Sequence, residues 1–168
     1  MEIALLIARL LVGLGLAAHG AQKLFGWFGG YGLKGTGGFF ESLGFRPGPL
    51  FAAAAGLGEF GGGLLTALGL GGPIGPALIV MVMLVAIFTV HITKGFFVTN
   101  GGYELNLTII AAALLIAFAG PGAWSFDTML NIGAVWTDSM RWIAMGVAVV
   151  LALGNLAIRR PASKAQTA

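Results

Sequence analysis

The stretch 9-RLLVGLGLAAHGAQK-23 lies in an otherwise apolar run from Ile3 to about Gln22, long enough to cross a bilayer as a helix. Inside it sit Arg9, His19 and, at the end, Lys23. At 100° per residue Arg9 and Lys23 project about 40° apart, and His19 about 40° further on. All three therefore share one helical face. Such a stripe is costly in lipid, so the face is expected to look into protein or water inside a bundle.

The composition agrees with a membrane location. Of 168 residues, 58% are hydrophobic and 9% charged, against about 25% charged in soluble domains. Many of the 29 glycines fall within apolar runs, which suits close helix packing in lipid. There is no cysteine, which excludes disulfides, a thiol relay in this chain and cysteine-held metal or iron–sulfur sites. The pI is near 9.7, but the basic residues stand at the ends of apolar runs and read as topology signals. Nucleic-acid binding is not expected. Residues 16–21 resemble a signal-peptide cleavage region, yet Glu2 precedes the run and Arg9 interrupts it, so the first helix is expected to stay.

Five apolar runs stand at about 3–22, 50–70, 74–94, 104–120 and 141–158, the last two being the shortest spans. They predict a single all-α transmembrane helical domain over 1–158, followed by a polar tail at 159–168 that is expected to lack order. The aromatic-rich segment 24–49 reads as interfacial. Within it a short helix is predicted from Thr36, as N-cap, to Leu43, with Gly44 as its stop. Gly69 to Pro76 reads as an uncharged hairpin.

Lys23, Lys34, Arg46, Lys94, Arg159, Arg160 and Lys164 fall on one side of this alternation and Arg141 on the other. The positive-inside rule then places the N-terminus outside and the C-terminus in the cytoplasm, in an inner membrane crossed several times.

The intramembrane polar candidates are Arg9, His19, Glu59 and His91, with Lys23, Lys94 and Glu104 at the cytoplasmic border. A carboxylate as deep as Glu59 needs a partner. Arg9 is expected to supply it, at a depth differing by about 7 Å on antiparallel helices. His19, Lys23, His91 and Glu104 are expected to converge at one mouth. The structural alternatives are plain: an ion pair that only orients helices, a lysine that snorkels, and a glutamate that complements a helix dipole. Haem is disfavoured, because two histidines give one pairing and no supporting motif. No metal site and no catalytic residue is indicated, and the nucleotide-binding and hydrolase signatures are absent.

Arg9-x3-Gly13, His19-Gly20-x2-Lys23-Leu24, Glu59-x2-Gly62-Gly63, Gly102-x-Glu104 and the segment Gly120 to Asp127 together resemble the DoxX family, over roughly residues 3–127. The last helix lies outside the resemblance and reads as an addition to a four-helix core. The family comprises small bacterial and archaeal membrane proteins, some similar to subunits of a thiosulfate:quinone oxidoreductase and others associated with redox partners. The resemblance implies a four-helix membrane bundle and a quinone-linked role. In that role Arg9, His19, Lys23, Glu59 and Glu104 match the recurring polar positions, and His91 joins them from the bundle argument. His19 and Lys23 would bond the oxygens of a quinone or similar small molecule, while Glu59 and Arg9 set the electrostatics. The lack of cysteine departs from what a thiol-based subunit needs. The other readings are a small-solute transporter or channel, and a membrane scaffold that recruits a soluble partner through the aromatic loop. A soluble redox partner and a homo-oligomer are both compatible with the sequence.

Overall fold

The computed structural model describes residues 2–160. The expectation for the tail, including Lys164, falls mainly outside the described residues. The chain is all-α, with α1 (Glu2–Phe25), α2 (Gly32–Ser42), α3 (Gly48–Leu68), α4 (Ile74–Ala86), α5 (Glu104–Ala119), α6 (Phe126–Met129) and α7 (Asp138–Ala157). Beyond α4 the helix continues through a π-helical turn at Ile87–His91 and a 3-10 turn at Ile92–Lys94. Among the described residues four helices are long and apolar enough to cross a membrane: Glu2–Phe25, Gly48–Leu68, Ile74–Lys94 and Asp138–Ala157. The protein is an all-α membrane bundle, and its C-terminal helix is among the four. The shorter apolar helix is α5, whose 16 residues reach about 24 Å, less than a full hydrocarbon core. Helix α7 begins at Asp138, three residues before the apolar run, because the Thr137 hydroxyl caps it by accepting from the Met140 amide at 3.3 Å.

Helix α3 is the centre of the packing, and glycine is the reason. It lies between α1 and α4. A Cβ on Gly63 would stand 2.5 Å from the Gly13 carbonyl and the Ala17 amide, and one on Gly13 would stand 2.5 Å from Gly63 O and Ala67 N. Towards the other end a Cβ on Gly20 would lie 2.6 Å from Gly56 O. The two backbones therefore touch, as small residues permit in lipid. The opposite side of α3 meets α4, where a Cβ on Gly62 would strike Leu78 Cβ at 2.9 Å. Helix α4 then packs on α5 and α7 around Ile79, Val80, Val82, Met83, Ala113, Ala117, Met145 and Ala148.

The interfacial segment differs from its sequence reading at one end. Helix α2 starts at Gly32, not after Thr36, and Thr36 lies inside it and buried. The small Thr36 and Gly37 are its buried residues, packed towards the start of α3, where a Cβ on Gly37 would meet Pro49 at 3.0 Å. Tertiary contact outweighs the local capping preference. The stop at Gly44 is as expected, with φ of 92°, a conformation glycine adopts at little cost. The bundle has two ends. The aromatic segment, the turn after α4 and the end of α7 lie at the His19 end. The hairpin Gly69–Pro76, the start of α1 and residues 120–137 lie at the Arg9 end.

Candidate functional site

At the His19 end the helices enclose a cavity of about 390 Å³, within the range of small-molecule sites. His19 and Lys23 reach it from one face of α1, four residues apart. Glu59, buried at the centre of α3, accepts a charge-assisted hydrogen bond from Lys23 Nζ. The apolar wall includes Phe39, Phe40, Phe45 and Phe51. Their rings stack in series, Phe40 on Phe45 at 5.7 Å and Phe45 on Phe51 at 5.1 Å between centroids.

The π-helical turn forms another wall, with Thr89, Val90 and His91 lining the cavity. Such turns are rare and cluster at functional sites. The Thr89 hydroxyl donates to Val85 O at 2.8 Å, serving a carbonyl of the preceding turn. His91 Nδ1 lies 2.6 Å from Gly101 O. A carbonyl can only accept, so this nitrogen carries hydrogen, and the neutral ring keeps Nε2 as an acceptor. Asn106, buried on α5, donates weakly to Met83 Sδ at 3.4 Å. Asn155 of α7 donates to Leu151 O at 2.9 Å and also lines the cavity. Helix α7 is held there by the Arg160 amide, which donates to Gly44 O at 2.8 Å, and by Arg159 Nε, which donates to Leu43 O.

Four of the six candidates, His19, Lys23, Glu59 and His91, meet at this cavity. Arg9 and Glu104 do not line it. Glu104 accepts from the Val98 amide at 3.0 Å and secures the loop before α5. The expected Arg9–Glu59 pair is corrected to Lys23–Glu59. The Gly13–Gly63 and Gly20–Gly56 contacts fix a register that sets Arg9 against Gly69. That point is ten residues along α3 from Glu59, about 15 Å at 1.5 Å per residue. Lys23 falls beside Gly56 instead, one turn from Glu59.

Arg9 is buried at the opposite end, where it donates to the Pro121 and Trp124 carbonyls. Beside it the fully buried Asp127 clasps the hairpin between α3 and α4. Its carboxylate accepts from Gly71 N at 2.9 Å and Gly72 N at 2.7 Å, and its own amide donates to Gly69 O at 3.0 Å. Gly69 closes α3 with φ of 63° and leaves room for the Arg9 guanidinium where a Cβ would clash. Sequence reading left Asp127 without this role, and also passed over Thr89, Asn106 and Asn155. The glycine pair 71–72 marked a turn, but nothing local joined it to an aspartate 55 residues away.

The DoxX family model matches residues 4–92, more than half of the chain. The chain belongs to the DoxX family. The match runs from α1 to the π-helical turn and takes in Arg9, His19, Lys23, Glu59 and His91. It ends before Glu104 and the segment Gly120 to Asp127, so it is shorter than the resemblance read from the motifs. Helices α5 and α7 of this DoxX protein lie beyond it. No curated protein and no solved structure matches the chain.

Proposed function

We propose that this DoxX protein is the quinone-binding membrane component of a redox system, and that the cavity at the His19 end is its binding site. The observation that carries this reading is the join of an aromatic-walled volume of about 390 Å³ with His19, Lys23, Glu59 and His91 at one place. A quinone head group is a flat, largely apolar ring with polar oxygens, and the lining offers both kinds of surface. Lys23, held by Glu59, is a donor for a carbonyl oxygen. His91, with Nδ1 committed to Gly101 O, leaves Nε2 to accept a proton or a hydroxyl. His19 completes the polar side. A quinone supplies reversible two-electron, two-proton chemistry when bound. With no cysteine in the sequence, any thiol or sulfur step belongs to a soluble partner.

In this reading the His19 end faces the cytoplasm of an inner membrane, with the N-terminus outside. Among the described residues Lys23, Lys34, Arg46, Lys94, Arg159 and Arg160 belong to that end, and Arg141 belongs to the other. The positive-inside rule favours this orientation.

The test is mass spectrometry of a solvent extract from protein purified gently from its own membrane, together with oxidised and reduced spectra. Stoichiometric quinone is expected in the wild type, and its loss in His19→Gln and Glu59→Gln variants that remain folded. Quinone retained by both variants, or none in the folded wild type, would sink the proposal.

A further inference from the structure

The free hydrogen-bonding capacity of the larger cavity is one-sided. Asn106, 8% exposed, lies on its wall, and the amide nitrogen donates to Met83 Sδ at 3.4 Å. A thioether has no hydrogen to give, so the nitrogen must face the sulfur and Oδ1 is left over. That oxygen accepts from no group among the described residues, yet it is not one of their walled-in, unpartnered atoms. In a residue so buried, the cavity is where it opens. Asn155 repeats the arrangement from α7. Its nitrogen donates to Leu151 O at 2.9 Å, a carbonyl that can only accept, and again Oδ1 is spare. His91 gives its Nδ1 hydrogen to Gly101 O at 2.6 Å, so the neutral ring presents Nε2 as an acceptor. Glu59 meets Lys23 through Oε2, and the other oxygen of an ionised carboxylate can only accept.

The walls on α3, the π-helical turn, α5 and α7 thus spend their hydrogens on protein and offer acceptors to a ligand. On α1, Lys23 keeps hydrogens beyond the one given to Glu59, and His19 can serve in either sense. Two acceptors that face each other are both left unsatisfied, which is costly in a desolvated site. A quinone has carbonyl oxygens without hydrogen, so it suits Lys23 and is mismatched to the rest. A hydroquinone has an O–H at each end of its ring. Each donates to an acceptor, while its oxygen still accepts from Lys23. Met83, which marks the place of Asn106, stands eight residues before His91 on the same helix, about 12 Å by rise. A bare cation needs its acceptors gathered at one point, whereas a ring with a hydroxyl at each end suits acceptors spread in this way. Resting on the quinone reading above, we infer that the cavity selects the reduced, hydroquinone form of its ligand over the oxidised quinone, with Asn106, Asn155 and His91 as the discriminating residues. A site built to bond a hydroxyl rejects an analogue that lacks it, because its own polar groups are then unpaired. Asn106 and Asn155 lie beyond the family match, so the selection is a property of this chain rather than of the matched segment.

The experiment is isothermal titration of the full chain in detergent, under argon and washed free of native ligand, with duroquinone and separately with its reduced form, durohydroquinone. Durohydroquinone is expected to bind about tenfold more tightly, or better. Asn106→Leu and Asn155→Leu each remove one acceptor at similar size, and each should cut that ratio about fivefold. A wild-type ratio of one or less, with duroquinone bound, would overturn the selection and leave the quinone site standing. Binding of neither form would remove the selection and the quinone reading together. A ratio unchanged in both folded variants would overturn the assignment of the discriminating residues. Where a variant fails to fold, the wild-type ratio still decides.

Discussion

Helix α1 carries a cation towards each end of the bundle, and the two ends treat it differently. At the Arg9 end the neighbouring chain is glycine and proline turn, rich in free carbonyls and amides. It folds over the guanidinium and leaves about 20 Å³. At the His19 end the neighbours are Phe39, Phe40, Phe45 and Phe51, whose rings wall a space of about 390 Å³ and offer no hydrogen bonds. There Lys23 finds its partner in Glu59, on the adjacent helix, and the remaining polar groups are left facing the cavity. A buried charge met by backbone makes a clasp, whereas a buried charge met by side chains among aromatic walls leaves an open cavity.

The contrast can be broken at its hinge, where α1 and α3 touch. Gly63→Val should have the largest effect, because its Cβ would meet the Gly13 carbonyl and the Ala17 amide at 2.5 Å, where neither backbone can yield. Separation of the helices should cost about 3 kcal/mol or more, disturb both ends together, and appear as loss of folded protein in size-exclusion chromatography and of any bound quinone. A variant that stays folded with both ends intact would deny that this contact sets the register.

Asp127→Ala should disturb one end only. It strands the Gly71 and Gly72 amides and strips the clasp of its negative charge, at a cost of about 3 kcal/mol. Thermal unfolding should show a large drop in midpoint. The fraction that remains folded should keep whatever quinone the folded wild type retains, because Asp127 does not line the larger cavity.

Glu59→Gln should do the reverse. Lys23 is partly exposed, so the loss of the pair shifts stability little, by about 1 kcal/mol or less. Quinone content should nonetheless fall by about tenfold, a loss of roughly 1.4 kcal/mol in binding, as Lys23 is no longer fixed. Titration of a soluble quinone analogue against tryptophan fluorescence measures this.

The smallest change sharpens the role of the π-helical turn. Thr89→Val removes the hydroxyl that serves Val85 O and should cost about 1 kcal/mol. If the turn reverts to ordinary α-helix, His91 rotates away from Gly101 O, and hydrogen exchange at residues 87–91 should change while that of α1 does not.

The sequence by itself determined that the protein is an all-α bundle in lipid, with helices near the five apolar runs, and the order of its polar residues carried the family. These properties follow from hydropathy and short-range spacing, which neighbours along one helix set. It also picked out His19, Lys23, Glu59 and His91, because ionisable groups at membrane depth are conspicuous in an apolar sequence. Tertiary structure decided who meets whom. The Gly13–Gly63 contact set the register that moved Arg9 away from Glu59 and brought Lys23 to it. Asp127 found the hairpin amides across 55 residues, and Thr36 was drawn inside α2 by packing rather than left to cap it. Pairings between helices depend on how closely two backbones can approach and where loops return. No local pattern along the chain encodes either.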